Sequence, residues 1–125
     1  MSTDERFEKL AAITEAALDR KAEDIIALDV SKLTSFADTF LILTASSNRR
    51  ARAIADSIGE AMVKRDENPR GVEGHDEGRW ILIDLDDVIV HIFLDDVRRE
   101  YDLERLWSDA PVIDVAGAAA RAAAR

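Results

Sequence analysis

The chain contains no cysteine. Disulfide bridges, thiol nucleophiles and thiolate-held metals are therefore excluded, and the absence fits a reducing compartment. No apolar run approaches the ~20 residues that a membrane span requires. The first twenty residues carry Asp4, Glu5, Glu8, Glu15 and Asp19 and lack the apolar block of a secretory signal, so the expected location is cytoplasmic with no membrane contact. Positive charge is in deficit, with 17 basic against 26 acidic residues and a net charge of -9. Phosphate backbones repel such a surface, which argues against direct DNA binding and favours docking on a basic protein. Proline and glycine are scarce, two and five residues, so the few that occur punctuate the chain.

At 125 residues the sequence has room for one domain. A chain of this size buries roughly two thirds of the surface it exposes when unfolded, so an ordinary core suffices without cofactor or metal. Residues 3–20 read as an amphipathic helix, with Thr3 as a cap and Phe7, Leu10, Thr14, Ala17 and Leu18 at helical spacing. Residues 24–30 (DIIALDV) and 38–45 (DTFLILTA) read as strands, the second carrying a continuous apolar run suited to the centre of a sheet. Residues 48–65 form a second helix, with Ala51, Ile54, Ala55, Ile58, Ala61 and Met62 along one stripe. It ends at DENPRG, where Pro69 and Gly71 break the pattern. A short strand at 71–74, two stronger ones at 79–85 and 88–94, and a helix at 95–107 complete the domain. Pro111 marks the exit from that last helix. The expectation is an α/β domain over residues 1–113, with a mixed sheet of about five strands and helices packed mainly on one face. An Ala-rich tail over 114–125 follows.

Asp86 and Asp87 make a two-residue turn between the 79–85 and 88–94 strands, because aspartate tolerates left-handed backbone better than most residues. That turn fixes the register. Leu85, Ile83 and Ile81 face Val88, Val90 and Ile92, giving an all-aliphatic side for the helices. The other side sets Asp84 against Ile89, Leu82 against His91 and Trp80 against Phe93. A face both aromatic and polar is what partner-binding surfaces show, with tryptophan a favoured anchor. Cover by another segment, such as the C-terminal helix, is the competing reading.

Candidate chemistry is sparse. His75 and His91 lack the spacing of a zinc motif, and no metal site is assigned. Asp84 and Asp86 form an Asp-x-Asp pair of the kind that holds magnesium in nucleotidyltransferases, which supplies the alternative reading of a magnesium-dependent nucleotidyltransferase-like enzyme. Against it, the Gly-Ser such enzymes place before their helix is replaced by Ala45-Ser46-Ser47, and Asp86 falls in the turn. Arg49, Arg50 and Arg52 at the start of the second helix form either an anion site or a solvated charge cluster. In the segment 99–107, Leu103, Leu106 and Trp107 share a helical face expected to be core. Tyr101, Asp102 and Glu104 are left to make a socket for arginine or lysine of a partner.

Six short motifs occur together: SFAD (35–38), SNR (47–49), VEG (72–74), GRW (78–80), VHIF (90–93) and YDLERLW (101–107). In combination, over residues 21–111, the chain resembles the ribosomal silencing factor family, also called Iojap-like proteins. The resemblance implies a nucleotidyltransferase-like fold without the catalytic set, and no cofactor. It implies binding to the large ribosomal subunit through the fourteenth protein of the large-subunit series, at an intersubunit bridge. The expected consequence is blocked subunit joining and lowered translation under nutrient limitation. Homodimers are also expected. The contacts it implies are Trp80, His91, Tyr101, Asp102 and Glu104, with Glu73 and Leu106 beside them.

Overall fold

A computed structural model describes residues 3–115, with side chains from Glu5 onward; the remainder of the Ala-rich segment lies outside the described residues. Helix α1 (Thr3–Asp19) leads into β1 (Glu23–Asp29) and β2 (Thr39–Ala45). Helix α2 (Asn48–Val63) follows, then β3 (Gly71–Glu73), β4 (Trp80–Asp84) and β5 (Val88–Leu94). Two short helices, α3 (Asp95–Tyr101) and α4 (Leu103–Leu106), precede β6 (Val112–Ile113). The sheet order is β3-β4-β5-β2-β1-β6. Only β2 and β5 run parallel; every other neighbouring pair is antiparallel.

The apolar run of β2 lies in the middle of this order and is buried at every position. The hairpin register expected from the Asp86-Asp87 turn is the one observed, from Trp80 opposite Phe93 to Asp84 opposite Ile89. Asp86 has a φ of 75°, in the left-handed region, and its backbone N–H bonds the Asp84 carboxylate at 2.9 Å. The aliphatic side packs under α1 and α2. Ile81, Ile83, Leu85, Val88, Val90 and Ile92 join Leu10, Ile13, Ile54, Ile58 and Met62 in one core. Ser47 caps α2 by accepting the N–H of Arg50 at 3.0 Å, satisfying one of the free donors of the first turn.

Two expectations are corrected. Among the described residues the sheet has six strands, because Pro111 is followed by two residues that pair with Ala27 and Leu28. The Asp29 N–H bonds the Pro111 carbonyl at 2.8 Å, so a proline that read as a helix exit also starts an edge strand. The helix expected over 95–107 breaks at Asp102, whose φ of 46° and ψ of 57° are left-handed. Its N–H closes α3 on the Arg98 carbonyl, and its carbonyl opens α4 by accepting from Arg105 and Leu106.

Lys9 fastens α1 to the hairpin. Although 4% exposed, it reaches the Leu85 carbonyl at 3.0 Å and the Asp87 carboxylate at 2.6 Å, with Glu67 at 3.5 Å. Replacing Lys9 by methionine keeps the stem but leaves a carbonyl and a carboxylate without their donor. The expected loss is about 2–3 kcal/mol, read as a lower urea midpoint at unchanged m-value.

Candidate partner-binding surface

The second face of the sheet gathers nearly all the aromatic side chains. Residues opposite one another on antiparallel strands share a face, so Trp80 with Phe93, Leu82 with His91, and Glu73 with Leu82 all project to this side. Phe40 projects there too from β2. The rings form a row across three strands. Tyr101 lies 4.7 Å from Trp80, Trp80 lies 4.9 Å from Phe93 and 6.0 Å from His91, and His91 lies 5.1 Å from Phe40. Phe40 continues to Trp107 at 4.9 Å and to Phe36 at 6.0 Å.

This face is partly closed. Val97, Leu103, Trp107, Ala110 and Ala37 pack on Phe40, Phe93, Ile42 and Leu28 as a second core. The cover named as the competing reading is therefore present over part of this face. The centre lies beneath the C-terminal helices, while the margin at Trp80 and Tyr101 stays accessible.

The expected contact residues separate accordingly. Tyr101 is 52% exposed and Leu106 76% exposed, whereas Trp80 is half-buried against Phe93 and His91. The left-handed Asp102 rotates α4 relative to α3, so Leu106, expected in the core, points outward, while Leu103 and Trp107 keep their inward places. Glu73 is exposed on β3, the edge strand beside β4. Asp102 and Glu104 are half-buried. His91 is 5% exposed and so not an open contact; its Nδ1 accepts the Trp80 indole N–H at 3.2 Å. Burial lowers the His91 pKa from its usual value near 6.5 to about 4, because the charged imidazolium would lose its hydration.

Arg98 organises the acidic side and was not visible as a site residue in the sequence. Its Nη1 donates to the Asp24 carbonyl at 2.6 Å and to the Thr44 hydroxyl at 2.8 Å, and its Nε bonds Glu104 Oε2 at 3.4 Å. Glu104 Oε1 is buried with no partner among the described residues. The carboxylate is thus oriented by one oxygen while the other remains an unused acceptor.

The loop ahead of Trp80 docks on α2. Asn48 donates to the Glu77 carbonyl at 2.8 Å and Arg52 to the Asp76 carbonyl at 3.2 Å. One of the three arginines at the head of α2 is therefore engaged with the loop. Gly74 and Gly78 have φ of 80° and 66°, and a Cβ at Gly78 would lie 2.8 Å from the Asn48 carbonyl oxygen. The SNR, VEG and GRW motifs thus build one structure, the support that leads the chain into Trp80.

The pieces of the enzymatic alternative lie apart. Asp84 pairs with Ile89 at the start of β5, whereas α2 begins just beyond Ala45, which pairs with Leu94 at its end. The five-residue interval between Ile89 and Leu94 spans about 17 Å of strand. Asp86 is held instead by Arg70 at 2.6 Å.

A family model described as "Ribosomal silencing factor during starvation" matches residues 3–125. The chain belongs to the ribosomal silencing factor family. A ribosomal silencing factor of Bacillus subtilis is 44% identical over 107 residues, covering 86% of this chain and 89% of that protein. A crystal structure of a Chromobacterium violaceum protein superposes with a TM-score of 0.78 at 42% identity, covering 86% and 88% of the two chains. A Bacillus halodurans structure gives 0.74 at 35% identity, covering 82% and 93%. The span matched by the family model includes every residue of the aromatic row.

The buried imidazole makes stability depend on pH. Between pH 6.5 and about 4 the unfolded chain binds a proton at His91 that the folded chain refuses. Stability is therefore full above pH 6.5 and falls as pH drops toward 4, with roughly 3 kcal/mol at stake. His91→Phe should flatten that part of the profile in urea melts at successive pH values.

Proposed function

We propose that this chain represses translation by docking on the large ribosomal subunit and keeping the small subunit from joining. The coarser part, a ribosome-associated role in silencing translation, follows from membership of the family. The finer part is supported by one observation, the aromatic corner of Trp80 and Tyr101, 4.7 Å apart at an accessible margin, with the half-buried Asp102 next to Tyr101 in the chain. Such a corner takes the side chain of an arginine or lysine on its rings. The proposed partner is the basic fourteenth protein of the large-subunit series, at a bridge that the small subunit must reach. Leu106 and Glu73 widen the contact, and the net charge of -9 steers the encounter. The mechanism is occlusion, so potency follows affinity and concentration and no turnover is involved. It lowers translation when nutrients are short.

Gradient sedimentation of separated ribosomal subunits, with and without the protein, tests this. The protein is expected to migrate with the large subunit and to reduce the joined particle in proportion to its occupancy. Migration with neither subunit, or undiminished joining at full occupancy, would refute the reading.

A further inference from the structure

We propose that His91 is the positioning residue of this surface: by accepting the Trp80 indole N–H it turns the polar edge of the indole inward and leaves a partner only the apolar ring. This rests on the docking role proposed for Trp80 and specifies what that role can recognise. Tryptophan has a single polar atom, and that atom only donates. At 3.2 Å from Nδ1 it is already engaged, so it is not offered to a phosphate or carbonyl of the partner. What packs on Trp80 must therefore be aliphatic or cationic, such as a lysine or arginine side chain, rather than a hydrogen-bond acceptor.

The protonation pattern follows from the same bond. Because the indole only donates, Nδ1 must be the bare nitrogen of a neutral ring, and the proton sits on Nε2. Nε2 is buried with no partner among the described residues. A neutral imidazole there leaves a donor unsatisfied, which costs free energy that a phenylalanine of similar shape would not incur. The imidazole adds one acceptor, and Trp80 uses it. Phe93 stacks on the imidazole with an 8° interplanar angle and Phe40 meets it edge-on at 73°, so the ring is clamped from two sides and can fix its partner.

Binding to isolated large subunits and the emission of Trp80 test this together, the second in a Trp107→Phe background where Trp80 is the sole indole. His91→Phe keeps the bulk and removes the acceptor. It should weaken binding about tenfold and shift Trp80 emission to longer wavelength as the indole turns outward. His91→Asn, whose amide oxygen falls near the Nδ1 position, should restore both. In a Trp80→Phe background, His91→Phe should add no further loss, since no N–H remains to be held. Equal losses in both backgrounds, or an unshifted emission, would overturn the positioning role. Failure of the parent chain to bind large subunits, with the emission shift intact, would sink the docking reading and leave the indole's orientation standing.

Discussion

Replacing Trp80 and Tyr101 together by alanine should lower affinity for isolated large ribosomal subunits on the order of a hundredfold. Each ring alone is an anchor of the type that contributes one to a few kcal/mol to an interface. Their centroids are 4.7 Å apart, so each ring sets the position of the other, and the double change should cost less than the sum of the single changes. Tyr101 is the cleaner probe, being more than half exposed and expected to leave thermal stability nearly unchanged. Trp80 also packs on Phe93, so its alanine variant should melt a few degrees lower. Quantitative co-sedimentation on protein shown to be folded by circular dichroism is the measurement. Full binding by the folded double variant would remove the aromatic corner from the interface.

Gly74→Ala should be among the most destabilising single changes in the chain. Two costs add there. The backbone is at φ 80°, which a side chain occupies only with strain, and the new Cβ would sit 2.1 Å from the Trp80 carbonyl oxygen. That oxygen belongs to β4 and cannot swing aside as a flexible side chain would. The loss should be about 3 kcal/mol or more, seen as a melting temperature lower by roughly 10 °C or more. The strand must shift to relieve the contact, and Trp80 shifts with it. Ribosome binding by the fraction still folded should therefore also fall. A melting temperature within two or three degrees of the parent would show that the 74–80 loop yields more easily than this geometry allows.

Much of this arrangement was legible in the residues. Alternation along 79–94 and an aspartate pair at its middle fixed the hairpin register, because a two-residue turn leaves no freedom to slip. The apolar run of β2 announced a central strand. Three features were hidden, each for a physical reason. Val112–Ile113 is too short to show a period, and its strand character comes from the edge of β1 that it meets. The break at Asp102 lies between good helix formers, Arg98 to Glu100 before it and Leu103 to Leu106 after it, and a single aspartate is too weak a signal to mark it. The depth of His91 could not be read from the hairpin, since it depends on how far Phe40, Leu103 and Trp107 reach over the sheet. The same limit explains Arg98, which gains its partners from residues 54 and 74 positions away.

The two ends of the sheet bear on how copies of the chain can meet. At one end β3 offers three residues; at the other β6 offers two and shields Ala27 and Leu28 of β1. The rest of β1 is distorted by a bulge between Glu23 and Ile26, with Asp24 in left-handed backbone. Among the described residues neither margin gives a second molecule a flat template long enough to zip onto, which is how soluble sheets resist stacking into fibres. Any self-association must then join side chains across faces or helices, and if it used the tyrosine-tryptophan corner, each pairing would withdraw two molecules from the ribosome at once.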